Sequence, residues 1–203
     1  PLFLILLYSV PFVRPISTLM VKDYVLFQGV DRQWVSIDDV APVLVNSVMM
    51  AEDGQFCSHG GVDWHQLSLV LDSDGAPSRG ASTITMQTVK NLFLWNGRSY
   101  VRKGLEFPLA LVADAVLSKR RIMEIYLNIA EWGPGIYGIE AAAQHYFKRP
   151  ASRLNAQQSA LLAVTLPNPA LRNPAKPTRN MQRISRIVAG RASRAGPYVT
   201  CVQ

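Results

Sequence analysis

Apolar residues recur at helical spacing along most of this chain, while strand-like alternation is scarce, so its core has to be assembled from packed helices. Val43, Leu44, Val48 and Met49 mark one helix, with Asp38 or Asp39 as its expected N-cap and Asp53 as its end. Asp63 is the expected cap of the next, carrying Trp64, Leu67, Val70 and Leu71. Asp72 to Gly80 reads as a loop by composition. A third helix starts at Ala81 or Ser82 and runs to about Leu94, and Asn96-Gly97 is a turn signal. Ser99 opens a long helix to Val116, which Pro108 should kink or divide. Ser118 or Lys119 begins another, closed by Gly133-Pro134-Gly135. Tyr137 to Phe147 is Ala-rich and helical, and Asn155 caps Gln157 to Leu166. Pro167, Pro169, Pro174 and Pro177 rule out a helix where they stand. Thr178 caps a last, basic amphipathic helix with Met181, Ile184, Ile187 and Val188. Ile16 to Trp34 reads as a linker or short strand region. The expected fold class is mostly α, in one domain without internal repeats.

Composition narrows the partners. The 203 residues are 49% hydrophobic and 17% charged, which excludes a disordered chain, and the net charge of +7 favours an anionic partner. Nucleic acid is disfavoured, because the basic residues interleave with carboxylates and no recognition motif occurs. Leu2 to Val13 is an apolar run ending at Arg14. A spanning helix needs about 20 such residues. The run is therefore read as the trailing end of a membrane anchor, giving residues 1–20 as anchor remnant and linker and 21–203 as the domain. The two cysteines, Cys57 and Cys201, define neither a disulfide framework nor a zinc spacing.

Three stretches carry chemistry. In Ala51 to Asp63, adjacent carboxylates Glu52 and Asp53 end an apolar helix, at the negative end of its dipole. A carboxylate held there against apolar neighbours has a raised pKa, as a general acid or base requires. Cys57, His59, Asp63 and His65 lie close together but form no metal-binding pattern, so no metal site is assigned. In Gly80 to Leu94, Thr83, Gln87 and Lys90 fall at i, i+4 and i+7, a hydroxyl, an amide and an ammonium in one row. Ser82 and Thr83 sit at the helix start, where free N–H groups attract an anion. An ordinary N-capped amphipathic helix explains this row equally well. In the third stretch Arg102 and Lys103 lie four and three residues before Glu106. This pattern makes either surface ion pairs or a second carboxylate clamped by cations that face a polyanion with Lys90. Two carboxylates in contrasting environments suit glycosyl chemistry. Glu124, Glu131 and Glu140 are read as structural.

Taken in order, these stretches resemble the glycosyltransferase domain of peptidoglycan polymerases, glycosyltransferase family 51, and most of all its monofunctional biosynthetic transglycosylases. E-D-x-x-F-x-x-H-x-G-x-D matches Glu52, Asp53, Phe56, His59, Gly61 and Asp63. G-x-S-T-I-T-Q-Q-x-x-K-N matches Gly80 to Asn91 except at Met86, and R-K-x-x-E matches Arg102, Lys103 and Glu106. Two further patterns match Lys119 to Phe147, and A-L-L-A-x-x-L-P-N-P matches Ala160 to Pro169. Asp114 stands where the family usually has Glu, and the loop from Asp72 to Ser78 looks short.

The resemblance covers about Trp34 to Arg191. It implies a lysozyme-like helical fold on a single-pass anchor in the bacterial inner membrane, with the domain on the periplasmic side. It implies polymerisation of lipid II into β-1,4-linked glycan, with inversion and release of undecaprenyl pyrophosphate. Glu52 would be the general base and Glu106 the second catalytic carboxylate, orienting the cations or helping to bind a divalent cation. Phe56, His59, Ser82, Thr83, Gln87, Lys90, Asn91, Arg102 and Lys103 would bind substrate. No cofactor is required, although a divalent cation (Mg²⁺ or Mn²⁺) could accompany the pyrophosphate. The implied partners are lipid II, the growing strand, the membrane, and proteins of cell division or wall synthesis. The competing readings are a lysozyme-like enzyme that cleaves glycan and an inactive lipid II-binding scaffold.

Overall fold

The structure, a computed structural model, describes residues 1–72, 81–97 and 99–203. Ten helices carry the described residues: α1 (Leu2–Tyr8), α2 (Thr18–Val25), α3 (Pro42–Glu52), α4 (Trp64–Leu71), α5 (Ile84–Phe93), α6 (Tyr100–Val116), α7 (Lys119–Ile129), α8 (Ile139–Phe147), α9 (Ala156–Thr165) and α10 (Arg179–Ala192). Helices α3, α9 and α10 pack on one another, and α5, α6 and α7 form a second group. Three short strands, β1 (Asp31–Arg32), β2 (Glu131–Gly133) and β3 (Ile136–Tyr137), make a sheet of order β1-β3-β2. β1 runs parallel to β3, with Asp31 opposite Ile136, and β2 runs antiparallel to it. Trp132, Tyr126, Tyr137 and Phe56 are the largest fully buried side chains.

Most helix starts follow local capping chemistry. Asp63, Ser99, Ser118, Asn155 and Thr178 each accept a backbone N–H from the first turn of the helix they precede. The start expected at Asp38 or Asp39 is displaced. Ser36 caps a single 3-10 turn, Ile37–Asp39, and α3 begins after Ala41 with Pro42, whose missing N–H is no loss at a first helical position. The start expected at Ala81 or Ser82 falls at Thr83, which caps α5.

Two other expectations change. Ile16 to Trp34 contains a helix, α2, capped by Ser17, besides the two-residue β1. Pro108 lies inside one continuous helix of 17 residues, not between two pieces. The carbonyl left without its partner is that of Gly104, and a residue with no Cβ tilts most easily away from the proline ring. Past Asp72, the expected loop lies outside the described residues.

The apolar run expected to be an anchor remnant forms a short helix. Among the described residues, no helix is long and apolar enough to cross a membrane. Helix α1 has 7 residues and docks on the domain, with Ile5 buried and the Tyr8 ring 6.1 Å from Phe93. Arg121 donates to the carbonyls of Tyr8, at 2.8 Å, and Val10, at 3.1 Å. Leu2, Phe3, Leu6 and Phe12 stay exposed.

Cys57 and Cys201 form a disulfide across 144 residues of sequence. The bond ties the loop after α3 to the C-terminal segment, where Val199 and Val202 are buried. In the chain-entropy picture, closing so long a loop removes about 5 kcal/mol of unfolded-state freedom. Reduction, or the Cys201→Ser substitution, should lower Tm by roughly 5–15 °C, as followed by circular dichroism with and without reductant.

Candidate active site

The site is built where α3 ends and α5 begins. Asp53 is the C-cap of α3, a poor place for an acid with respect to that helix. Its side chain reaches instead to the start of α5, where Oδ2 accepts the Ile84 N–H at 2.9 Å. His59 Nε2 closes on the same carboxylate at 3.0 Å. Thr83 adds the side-chain cap: its hydroxyl accepts from Met86 N at 3.1 Å and donates to the Gly61 carbonyl at 2.6 Å. Gly61 is confined to glycine twice over, by a φ of +88° and because a Cβ would stand 2.6 Å from the Ala110 carbonyl oxygen on α6.

This junction fixes Glu52 beside α5. Gln87 Nε2 donates to Glu52 Oε2 at 2.9 Å, and the buried Tyr126 hydroxyl donates to Gln87 Oε1 at 3.1 Å. The phenol fixes which way the amide points, so that Gln87 presents its NH₂ to the carboxylate. Burial pushes the Glu52 carboxyl above its ordinary range. The Gln87 hydrogen bond and the charge of Arg172 oppose the shift, Asp53 adds to it, and Lys90 opposes it weakly. Glu52 is thus a carboxylate made basic by desolvation and held by a neutral donor.

A cationic group stands alongside. Lys90 is depressed by burial and by Arg102. Lys103 falls to about 8 through burial and its neighbours Arg102 and Lys90. Glu106, on α6 and only 3% exposed, takes Arg102 on one oxygen and Lys103 on the other, the latter at 2.8 Å. The Lys103 ammonium also donates to Ser82 Oγ at 2.7 Å, which joins the start of α5 to α6.

A cleft of about 610 Å³ opens over Glu52, walled by residues 50–55, Ala81, Ser82, Thr83 and Gln87, with Arg191 and Tyr198 from the C-terminal part of the chain. A smaller recess of about 190 Å³ adjoins it through Gln87 and Pro167, and holds Lys90, Asn91 and Glu131. Glu52, Ser82, Thr83, Gln87, Lys90 and Asn91 therefore share one continuous surface. Arg102, Lys103 and Glu106 stand behind it.

Two expected substrate contacts are corrected to supports. Phe56 is fully buried, under the Lys119 ammonium at 4.6 Å, because its aromatic bulk fills the core beneath the loop. His59 is turned inward onto Asp53. The Thr83 hydroxyl, expected to meet an anion, is committed to capping. The departures from the family pattern are absorbed. Met86 is buried in the core and does not face the cleft. Asp114 still accepts from Thr85, at 3.1 Å, and pairs with Lys119 at 2.6 Å. Glu124 and Glu140 are structural: Glu124 pairs with Arg121, and Glu140 accepts the Ala151 N–H at 2.7 Å. Glu131 is different, lining the recess with a carboxyl raised by burial and by Asp23. Sequence reasoning also missed Tyr126, Arg191 and Tyr198. Tyr126 had a signal, since it lies within the Lys119 to Phe147 stretch that matches the family patterns.

The transglycosylase family model matches residues 20–193, which include Glu52, Gln87, Lys90, Arg102, Lys103 and Glu106 but stop short of Tyr198. The chain belongs to the transglycosylase family. A biosynthetic peptidoglycan transglycosylase of Brucella suis is 84% identical over 205 residues, covering all of this chain and 92% of that protein. Proteins of the same name from Agrobacterium fabrum and Rhizobium johnstonii are 63% and 60% identical, again over the whole chain and over 90% and 83% of their own lengths.

The raised carboxyl of Glu52 has a cost in this transglycosylase. Folding raises its pKa, so the protonated form favours the fold and the ionised form opposes it above the ordinary carboxyl range. Glu52→Gln keeps the shape and an acceptor for Gln87 while removing the buried charge. The variant should show a higher Tm than wild type near neutral pH, and the gain should vanish as the pH falls below about 4. Melting both proteins across that range checks the sign.

Proposed function

We propose that this transglycosylase polymerises lipid II into the glycan strands of peptidoglycan. Glu52 takes the proton from the 4-hydroxyl of the acceptor GlcNAc. The freed oxygen attacks C1 of the donor MurNAc on the face opposite the lipid pyrophosphate. The new C1–O bond forms as the C1–O bond to phosphate breaks, so an α linkage becomes a β-1,4 linkage. Undecaprenyl pyrophosphate departs with the electron pair. Lys90, at the recess beside Glu52, and Arg102 and Lys103 behind it stabilise the charge growing on the leaving group. Glu106 holds those two cations in place. Asn91 and Ser82 complete the sugar–phosphate surface. The observation that carries the reading is the juxtaposition of one desolvated carboxylate with a row of partly desolvated cations. A glycan-cleaving enzyme has use for the acid but none for the cations.

Among the described residues, no group of three or more His, Cys, Asp or Glu is arranged to hold a metal ion. Both oxygens of Glu106 are engaged by cations. On this reading a divalent cation would accompany the pyrophosphate oxygens of the substrate. We place the enzyme at the outer face of the inner membrane. The disulfide fits an oxidising compartment, and the exposed Leu2, Phe3, Leu6 and Phe12 suit a lipid boundary.

Glu52→Gln should lower the rate of strand formation from labelled lipid II by about 10²–10⁴-fold, the usual worth of a positioned general base. Strand length resolved on gels reads the result, and full activity in the variant would remove Glu52 from this role. A second expectation concerns pH. Lys103 loses its charge as the pH rises through about 8 in the free enzyme, so kcat/KM should fall along an alkaline limb there. Lys103→Arg, whose charge persists, should carry the limb to higher pH.

A further inference from the structure

The cleft has a wall that no motif supplies. Arg191, in the last turn of α10, and Tyr198 face the same space as Glu52 and Gln55. Tyr198 is 49% exposed, and among the described residues its ring and the Arg191 guanidinium have no hydrogen-bond or ion-pair partner. The segment bearing Tyr198 is nevertheless firmly seated. Ala195, Val199 and Val202 are buried around it, Arg120 donates to the Val202 carbonyl at 2.7 Å, and Cys201 is bonded to Cys57. Cys57 lies five residues after Glu52 and Cys201 three after Tyr198. One covalent bond thus ties the loop that follows the base to the free aromatic across the cleft. Neither Arg191 nor Tyr198 lines the recess that holds Lys90, where the pyrophosphate belongs. They share the cleft with Glu52, the proposed base, and on that reading lie beside the sugar that gives up its proton.

We propose that the disulfide-tethered C-terminal segment is the acceptor wall of the cleft, with Tyr198 lying against the apolar face of the acceptor sugar and Arg191 pairing with a carboxylate of its attached peptide. This rests on the polymerase reading above. A phenol ring gives a rigid amphipathic surface at small entropic cost, and its apolar face suits the C–H face of a pyranose. A guanidinium suits a carboxylate through paired N–H donors.

The test uses the whole chain and two readouts. In polymerisation, Tyr198→Ala and Arg191→Gln should each raise KM for lipid II about tenfold, the worth of about 1.4 kcal/mol, with kcat within about twofold. Inhibition by inorganic pyrophosphate, which reads the cationic recess, should not move. Tyr198→Phe and Tyr198→Trp should stay near wild type, because the ring and not the hydroxyl is required. Reduction of Cys57–Cys201 should raise KM in the same direction. The second readout is direct binding of a lipid-free GlcNAc–MurNAc-peptide, which needs no turnover. An unchanged KM in Tyr198→Ala, an equal loss in Tyr198→Phe, or a parallel change in pyrophosphate inhibition would overturn the wall. An indifferent KM on reduction would overturn the tether. A wild type that binds the disaccharide through Tyr198 yet makes no strand would retire the polymerase reading and leave the wall standing. A wild type that makes strands while its disaccharide binding ignores both residues would do the reverse.

Discussion

Asp53 is the contact on which the rest of the site depends. It ends α3, where the helix dipole opposes an acid, and the Ile84 N–H at the start of α5 turns that disadvantage into a bond. One carboxylate thereby joins the helix group of α3, α9 and α10 to the group of α5, α6 and α7. Glu52 is the neighbouring residue, so the position of the base relative to Gln87 and Lys90 follows from how Asp53 is held. His59 locks Asp53 from the other side, and Thr83 ties the same helix start to the Gly61 carbonyl. Phe56 and His59 therefore act on substrate chemistry only through the geometry they maintain.

That geometry sets two electrostatic environments a short distance apart. Glu52 loses water and, among the described residues, its side chain accepts a hydrogen bond from a neutral amide, while Arg172 and Lys90 act on it through their charge and burial still raises its pKa. Glu106 is buried as well but receives a cation on each oxygen. Removing both cations would leave Glu106 an uncompensated buried charge, so the pairing serves the fold as well as the site. Burial and the neighbouring cations together depress Lys90 and Lys103, a repulsion that the pyrophosphate of the proposed reaction would relieve.

Much of this was legible along the chain, and the divide is physical. Caps at Asp63, Ser99, Ser118, Asn155 and Thr178 are local events within one turn, and the residue type announces them. The Arg102, Lys103 and Glu106 spacing is likewise local. What sequence could not show depends on chain segments meeting at long range. The Cys57–Cys201 bond, the two-residue strands paired through β3, and the docking of α1 on α6 have no local signature. Asp38 lost its expected cap role because Ser36 and Pro42 offered a better entry. Phe56 and His59 were named by pattern as part of the site, yet pattern cannot say whether a side chain faces the cleft or the core. Met86 is the converse: a departure in the motif that proves to lie on the buried face of α5.

The same reasoning favours Glu52 over its acidic neighbours as the proposed base. A general base must be free to change charge during the reaction. Asp53 holds a helix N–H and His59, Asp114 holds Lys119, and Glu106 holds two cations, so protonating any of them would break contacts that the fold uses. Among the described residues, Glu52 has one side-chain hydrogen bond, from an amide whose other end is fixed by Tyr126. That amide can serve the carboxylate or the carboxylic acid, since its N–H needs only an oxygen lone pair. Glu52 can therefore take and give a proton without rearranging its surroundings.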